Sequence, residues 1–439
     1  MWLETLELKN VKCFEQKAFR FSPGFNVIIG DNGTGKTSII ESIGLIISKT
    51  GIPNSGEHIK NIARKVVTDS KNSIPTISDC TPIQILSNIR YHTPTRREYQ
   101  RVEIDINMTD ESHGYGMTLG SNHISLSEFI HRIINESHNY PILSKYSSIR
   151  RFNITKQPLS TTLISTRRID GYNNWNDLIE NSNIVNLWIK TLEISTLQRN
   201  KSNPVLESIR TSIRSAISDD QPGSIYYDIV IDELCIKKPN GEILPISLLS
   251  DGQFNMISMV MDIAIRCAIL NPHLLEKAPQ ETSGIVLIDE LDLHLHPKWQ
   301  MRVVDDLKRT FPKIQFIVTT HSPLIIQSLK PDEGDKLIDL NDPDTVPDYE
   351  YSGRSPEDIL EEGMGIEMPQ RSHRWKEMYH AAEEYYELLD KTESADETER
   401  LVLREKLDVL MIPYDNNPAY AAYTSFLKQK RIVTGIDKV

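Results

Sequence analysis

The sequence predicts an α/β fold organised around a parallel β-sheet, and three apolar segments support that prediction. Phe25–Ile29, Gly284–Ile288 and residues 314–318 are short, largely β-branched apolar runs, as in strands that are buried on both faces. A helical stretch over residues 38–48 follows the first run, and polar residues follow the other two. Because the carboxyl ends of parallel strands meet at one edge of a sheet, the residues after these strands are expected to form a common site.

The loop after the first strand matches a phosphate-binding pattern. Residues 30–37 read GDNGTGKT, which is GxxxxGK[ST] between a strand and a helix, as the pattern requires. Its glycines let the backbone turn tightly so that N–H groups face phosphate oxygens, and the helix start adds a positive field. Lys36 supplies a charge for the β- and γ-phosphates, and the Thr37 hydroxyl is a Mg²⁺ ligand. The candidate nucleotide-binding residues of this segment are Asn32, Gly33, Gly35, Lys36, Thr37 and Ser38.

Two carboxylates follow the second strand. Asp289 and Glu290 come directly after Gly284–Ile288, at the sheet edge where the phosphate-binding loop is expected. Asp289 is placed to hold Mg²⁺ through water, and Glu290 to orient and deprotonate the attacking water. A positioned general base of this kind accelerates a reaction roughly 10²–10⁴-fold. The pair therefore predicts a Mg²⁺-dependent site that hydrolyses ATP.

Two further motifs surround this site in the sequence. Residues 249–253 read LSDGQ and precede a long helical stretch. Ser250 and Gly252 at a helix start offer a hydroxyl and bare backbone N–H groups to an anion, and a plain helix N-cap at Ser250 is the alternative. The third strand leads into TTHSP, where His321 either contacts a phosphate or is a buried structural histidine.

Together these motifs resemble the ABC-type ATPases grouped with the SMC, Rad50 and OLD proteins. LSDGQ is a variant of the LSGGQ signature, and residues 292–297 read DLHLHP, which is similar to the D-loop region. The resemblance implies an SMC/Rad50-like head: a P-loop ATPase in which two copies clamp two ATP molecules. It implies that the switch histidine contacts the γ-phosphate and that the signature completes the site of the opposite copy. The residues that it adds to the candidate site are Lys12, Ser250, Gly252, Gln253, Asp292 and His321.

Two elements of that family have less specific counterparts here. Residues 8–14 read LKNVKCF and resemble the family's first strand and turn, which makes Lys12 the basic residue that approaches the phosphates. The Q-loop glutamine has three candidates, Gln84, Gln100 and Gln157, and their sequence contexts do not distinguish them.

The motifs divide the chain into four parts. Residues 1–50 and 247–345 form the two portions of the ATPase lobe, and residues 51–246 form an inserted lid without sustained heptads. Residues 346–439 form a helical tail, whose apolar stripes either pack on their own domain or contact a second copy or a partner. The elements predicted in the lid are strands over 83–91 and 99–108, a helix over 125–137, a helical region over 175–218 with a break at 203–204, and a hairpin over 225–236.

Composition limits the class of protein further. Of the 439 residues, 39% are hydrophobic and 25% are charged, which is typical of a globular protein. The longest mostly apolar run, residues 39–47, is too short to cross a bilayer, and the first residues lack the basic region of a secretory signal. The four cysteines form no CxxC pair, which indicates reduced thiols and no zinc site. We therefore expect a cytoplasmic protein with no membrane partner.

The net charge of −12 is unevenly distributed along the chain. Basic residues gather in the first half and acidic residues in the tail, so either DNA and a basic partner bind separate faces or both faces are merely solvated. Arg167 and Arg168, close in sequence to Trp175, leave the same choice open between contact with DNA and ordinary packing.

Over nearly its full length, the chain also resembles the small bacterial ATPases of the anti-phage Septu system, the PtuA family. That similarity extends through residues 166–172 and 183–198 into the tail. It implies an ATPase that controls an HNH nuclease of the PtuB kind, which cleaves DNA, with the acidic tail as a place for partner contacts. Two alternatives stay open: a stand-alone DNA-dependent repair or recombination ATPase, and the ATPase module of a retron-type defence unit.

No nuclease centre is expected within the chain itself. OLD-family nucleases carry a Toprim domain with a Glu and a DxD group after the ATPase, whereas the residues after His321 are mostly helical in pattern. Asp342 and Asp344 mimic DxD, but they lie in a polar linker without a suitable glutamate on a preceding strand.

Overall fold

A computed structural model describes residues 1–48, 65–68, 76–79, 83–92, 99–111, 114–119, 139–147, 168–172, 175, 181–216, 224–237, 240–341 and 354–366, together with residues 376, 377, 380, 402 and 409. The chain divides into two compact units, Met1–Pro356 and Glu357–Val439. Several sequence predictions lie outside the described residues: most of the tail, the helix over 125–137, Gln157, Arg167, Asp342 and Asp344.

Fifteen strands are present in the described ranges. They are β1 Trp2–Val11, β2 Phe14–Arg20, β3 Phe25–Ile29, β4 Lys65–Thr68, β5 Thr76–Asp79, β6 Ile83–His92, β7 Tyr99–Glu111, β8 Gly114–Leu119, β9 Ile142–Tyr146, β10 Ser224–Asp228, β11 Glu233–Lys237, β12 Ile243–Pro245, β13 Gly284–Ile288, β14 Ile314–Thr319 and β15 Lys336–Asp339. The α-helices are α1 Lys36–Ser48, α2 Asn181–Arg199, α3 Pro204–Ala216, α4 Asp251–Leu270, α5 Ala278–Glu281, α6 Pro297–Gln300, α7 Val303–Thr310, α8 Pro323–Gln327 and α9 Pro356–Asp358.

The core of the first unit is a five-stranded parallel sheet with the order β15-β3-β14-β13-β9. Its three central strands, β3, β14 and β13, are buried along their whole length, as expected for strands covered on both faces. All strands of the sheet run in the same direction, so the loops that follow β3, β13 and β14 emerge at one edge. The predicted α/β fold organised around a parallel β-sheet is therefore confirmed, and the common site at that edge stays a prediction.

A second, antiparallel sheet with the order β2-β1-β6-β7-β8 is joined to this core. Gln315 of β14 makes the connection, because its amide oxygen accepts from the backbone N–H of Leu3 at 2.8 Å and its amide nitrogen donates to the Leu3 carbonyl at 2.9 Å. Both hydrogen bonds are buried, so they fix β1 firmly against the parallel sheet.

The segment predicted as a lid, residues 51–246, contributes strands to both sheets rather than to one separate module. The predicted strands over 83–91 and 99–108 are β6, which pairs with β1, and β7, which pairs with β6. The segment also supplies β9, which completes the parallel sheet beside β13. The predicted hairpin is β10–β11, and the predicted helical break separates α2 from α3, where the Asn203 side chain accepts from the N–H of Val205.

Helix α4, which follows the LSDGQ motif, is the long core helix of the first unit. Its length and composition would suit a membrane span, yet 83% of its most apolar window is buried inside the protein. Asp262 of this helix pairs with Arg266 and accepts a 2.7 Å hydrogen bond from the hydroxyl of Tyr146. Burial raises the pKa of Tyr146, so its phenol stays protonated and donates. Since Tyr146 ends β9, this buried cluster attaches α4 to the parallel sheet.

Arg168, for which the sequence left DNA contact and packing open, makes contacts within the fold. Its guanidinium lies 3.9 Å from the centre of the Tyr140 ring and donates to the carbonyl of Leu270 at 2.6 Å. Leu270 is the last residue of α4, so a cation here satisfies a free carbonyl and complements the helix dipole. These contacts support the packing alternative for Arg168.

Candidate functional site

The loop between β3 and α1, residues 30–37, leaves no room for a side chain at two of its glycines. Gly30 and Gly35 have φ angles of +145° and +107°. A Cβ atom at Gly30 would lie 2.7 Å from the hydroxyl oxygen of Thr34, and one at Gly35 would lie 2.5 Å from the sulfur of Cys13. The loop is thus a tightly packed turn at the start of a helix, which is the backbone geometry of a phosphate-binding site.

Lys36 is held inside this loop. Its ammonium group donates to the carbonyl oxygens of Gly30 at 2.7 Å and Asp31 at 2.9 Å. Desolvation by burial lowers the pKa of Lys36, and the nearby carboxylates, Asp289 foremost, act in the opposite direction. The loop therefore contains a cation that is already surrounded by the groups of the predicted site.

Asp289 links the loop to the neighbouring strands. Its buried carboxylate accepts from the Thr37 hydroxyl at 3.1 Å and from the Thr319 hydroxyl at 2.6 Å. A carboxylate beside a hydroxyl at a phosphate-binding loop offers the hard oxygen donors that Mg²⁺ prefers. The side chains present thus fit a Mg²⁺–nucleotide complex, with Thr37 and Asp289 as the residues that would hold the metal.

Glu290 adopts an unusual backbone conformation next to Asp289. Its φ angle is +52°, in the left-handed region that non-glycine residues seldom occupy. Its N–H donates to the Thr319 hydroxyl at 2.7 Å, which maintains this conformation at the end of β13. Such strain is concentrated at functional sites, where the surrounding structure fixes it.

Thr319 is a site residue that the sequence reasoning did not single out. Its hydroxyl donates to Asp289 and accepts from the N–H of Glu290, so it fixes both carboxylate residues. The available signal was its position: β14 pairs with β13 in parallel, Ile288 opposite Val318, so the next residues, Asp289 and Thr319, are neighbours.

Replacing Thr319 by valine, which has nearly the same shape, is expected to reduce kcat for ATP about 5- to 100-fold. The reason is that each buried partner left without its hydrogen bond costs about 1–3 kcal/mol. Thr319→Ser retains the hydroxyl and serves as the matched control, with steady-state ATP hydrolysis and the melting temperature measured for both variants. A valine variant with wild-type kcat would show that Thr319 does not position the carboxylates.

Asp292 accepts hydrogen bonds from the two residues that follow β14, Thr320 and His321. The Asp292 carboxylate accepts from the Thr320 hydroxyl at 2.6 Å and from the N–H of His321 at 3.3 Å. Gln300 of α6, also not singled out from the sequence, accepts from the Ser322 hydroxyl at 2.7 Å. The predicted contacts of Asp292 across a dimer and of His321 with a γ-phosphate stay predictions.

The LSDGQ motif forms the start of α4. Ser250 is the N-cap, its hydroxyl accepting from the N–H of Gln253, and the Gln253 side chain accepts in turn from the N–H of Ser250. Both side chains are exposed, whereas Gly252 is buried against the chain after Asp292: a Cβ atom there would overlap the carbonyl oxygen of His294. The N-cap alternative therefore describes Ser250 within one copy, and the role of the motif towards a second copy stays a prediction.

The turn between β1 and β2 contacts the phosphate-binding loop. Lys12 has a φ angle of +45°, and its ammonium group pairs with Glu41 of α1. The thiol of Cys13 donates to the carbonyl of Thr34 at 3.3 Å. Lys12 thus lies beside the helix that follows the loop, and its contact with phosphates stays a prediction.

The remaining candidates occupy different positions. Asn32 and Gly33 are exposed at the tip of the loop, and Ser38 is buried in α1. Of the glutamines proposed for the Q-loop, Gln84 lies on β6 and Gln100 on β7. The structure therefore places the loop, with the ammonium group of Lys36, at the same sheet edge as the residues after β13 and β14. Those residues are Asp289, Glu290, Asp292 and His321.

Comparisons with known proteins identify the family of the chain and several relatives. Residues 2–338 match the family described as RecF/RecN/SMC N-terminal domain. The chain is 28% identical to a retron Vc95 probable ATPase of Vibrio cholerae serotype O1 biovar El Tor, over 80% of this chain and 76% of that protein. It is 28% identical to the Septu protein PtuA of Bacillus thuringiensis, over 83% of this chain and 84% of that protein. The SMC head domain from Thermotoga maritima is also similar, at 17% identity and a TM-score of 0.44, covering 77% of this chain and 94% of that one.

The family match and the relatives confirm two expectations from the sequence. The chain resembles the Septu ATPases over most of its length, and its α/β fold is of the SMC-like head type.

Proposed function

The chain belongs to the RecF/RecN/SMC N-terminal domain family, and on that premise we propose that it is a Mg²⁺-dependent ATPase whose site is completed by a second copy. The observation that carries this proposal is the 3.1 Å hydrogen bond between Thr37 and Asp289, which joins the phosphate-binding loop to the carboxylate strand. In this proposal the loop N–H groups and Lys36 bind the phosphates of ATP, and Thr37 and Asp289 hold the metal.

In this proposal the residues around the loop also assist hydrolysis. Mg²⁺, when bound, neutralises charge on the phosphate oxygens. Glu290, fixed by its hydrogen bond to Thr319, accepts a proton from the attacking water as the general base. His321 approaches the γ-phosphate from the end of β14, and its position is set by the hydrogen bond from its N–H to Asp292.

Residues that one copy leaves exposed support the proposed closure by a second copy. Ser250 and Gln253 hydrogen-bond to each other and are exposed at the start of α4, where the helix dipole favours an anion. In the proposed dimer they face the γ-phosphate bound by the other copy, together with the backbone of Gly252. Two copies thus enclose two ATP molecules.

At the level of the cell, we propose a role in anti-phage defence in which ATP turnover controls an HNH nuclease that cleaves DNA. The similarity to the Septu protein PtuA over 83% of the chain supports this assignment. The similarity to a retron Vc95 probable ATPase, over 80% of the chain, favours a second candidate, the ATPase module of a retron-type unit. We place the protein in the cytoplasm, in keeping with the free thiols of Cys13, Cys235 and Cys267.

Purification of the tagged chain from its native operon tests this assignment. We expect a stoichiometric HNH protein to co-elute, identified by mass spectrometry, and the eluate to cleave DNA in an ATP-sensitive manner. Co-elution of a reverse transcriptase would favour the retron-type unit instead. If the chain elutes alone, cuts no DNA and hydrolyses ATP faster when DNA is added, the stand-alone ATPase replaces both.

A further inference from the structure

The phosphate-binding loop is held from outside by a residue near the end of the first unit. The side-chain oxygen of Asn341 accepts from the backbone N–H of Asp31, the second residue of the loop, at 3.0 Å. The N–H of Asn341 itself donates to the Asp339 side chain at 2.9 Å, which fixes the backbone from which this side chain extends.

The chain that carries Asn341 is aligned with the loop by strand pairing. Asp339, the last residue of β15, is opposite Ile29 of β3, and the N–H of Leu340 continues this pairing by donating to the Ile29 carbonyl at 3.0 Å. A Cβ atom at Gly30 would lie 3.0 Å from the Cβ of Leu340, so the segment after β15 is in contact with the first residue of the loop. Residues 340 and 341 therefore lie alongside the residues with which β3 ends and the loop begins.

The peptide group that Asn341 holds, between Gly30 and Asp31, also holds Lys36, because its Gly30 carbonyl accepts from the Lys36 ammonium group at 2.7 Å. The carbonyl of Asp31 accepts from the Lys36 ammonium group at 2.9 Å and from the Thr34 hydroxyl at 2.9 Å. The N–H of the same residue is fixed by Asn341. A displacement of Asn341 would therefore release Asp31, whose carbonyl accepts a hydrogen bond from Lys36.

We propose that Asn341 is a positioning residue for ATP binding, acting through Asp31 on Lys36 and on the loop backbone. The proposal rests on the proposed function, in which Lys36 and the loop bind the phosphates. From Asn341 the chain continues towards the second compact unit, which begins at Glu357. Asn341 is therefore on the covalent path between that unit and the nucleotide site.

Asn341→Ala in the full-length chain tests the proposal. Losing one hydrogen bond to the loop is expected to raise the Kd for ATP, measured by equilibrium dialysis, and the KM about 5- to 10-fold, with kcat unchanged. Asn341→Asp keeps an acceptor oxygen but adds a negative charge, which repels the phosphates of ATP and raises the Kd at low salt. High salt screens this charge, so the Kd of this variant should then approach that of wild type at the same salt concentration. Asn240→Ala is the matched control, because the Asn240 side chain likewise accepts from an N–H, that of Glu242, in an exposed turn.

Lys36→Ala, measured in parallel, separates this proposal from the proposed function. If Lys36→Ala loses ATP while Asn341→Ala binds it like wild type, only the positioning role is overturned. If wild type and Lys36→Ala bind ATP equally, the proposed function itself fails. A lower melting temperature and kcat with unchanged KM and Kd would assign Asn341 a purely structural part and overturn the positioning role as well.

Discussion

Lys36→Ala is expected to abolish detectable ATP binding. In the structure this ammonium group is enclosed by the carbonyls of Gly30 and Asp31 and lies in the field of Asp289. Removing it takes away charge-assisted hydrogen bonds to the phosphates, which contribute roughly 1.5–3 kcal/mol each, so we expect binding to weaken on the order of 100-fold or more. Equilibrium dialysis with labelled ATP and Mg²⁺ measures the effect.

Lys313→Ala is the matched control for this loss. Lys313 pairs with Glu281 and precedes β14, at the amino edge of the parallel sheet, whereas the site occupies the carboxyl edge. The control should bind ATP like wild type. Retention of wild-type affinity by Lys36→Ala, with an unchanged melting temperature, would contradict the assignment of residues 30–37 to phosphate binding.

Glu290→Gln is expected to reduce ATP hydrolysis roughly 10²–10⁴-fold, because the amide cannot accept the proton from the attacking water. Binding should persist, since the phosphate-binding loop, Asp289 and Thr319 are unchanged. The variant should therefore accumulate as an ATP-bound dimer. Analytical ultracentrifugation with ATP and with ADP, together with steady-state hydrolysis, measures both consequences.

Glu281→Gln provides the comparison for Glu290→Gln. It makes the same chemical change at the amino edge of the sheet, where Glu281 pairs with Lys313. We expect it to hydrolyse ATP and to dimerise as wild type does. A Glu290→Gln chain that stays monomeric with ATP and still hydrolyses it at the wild-type rate would show that Glu290 is not the base.

Local pattern was sufficient for the central strands of the fold. Strands β3, β13 and β14 are buried apolar runs, and β10–β11 is a hairpin, because each is determined by its own residues and the turn beside it. Strand β9 was not foreseen, since its five residues become a sheet edge only through pairing with β13, more than a hundred residues away. Pairing across such separations is not encoded in local periodicity.

The candidate site shows the same division. The phosphate-binding loop and the Asp289–Glu290 pair could be predicted because their spacing is fixed within one strand–loop segment, and their chemical roles stay predictions. Thr319 and Asn341 could not be found in this way. Thr319 is the first residue of the TTHSP motif, but its contact, like that of Asn341, is a hydrogen bond to a residue that is distant in sequence, Asp289 or Asp31.

The close approach of Gly252 to the carbonyl of His294 has a consequence for cooperativity. The start of α4 and the chain after Asp292 touch backbone to backbone, so one cannot shift without the other. In the proposed dimer, a copy that rearranges after hydrolysis must also move the surface that closes its partner's site. The two active sites of the proposed dimer are then expected to hydrolyse ATP together rather than alternately.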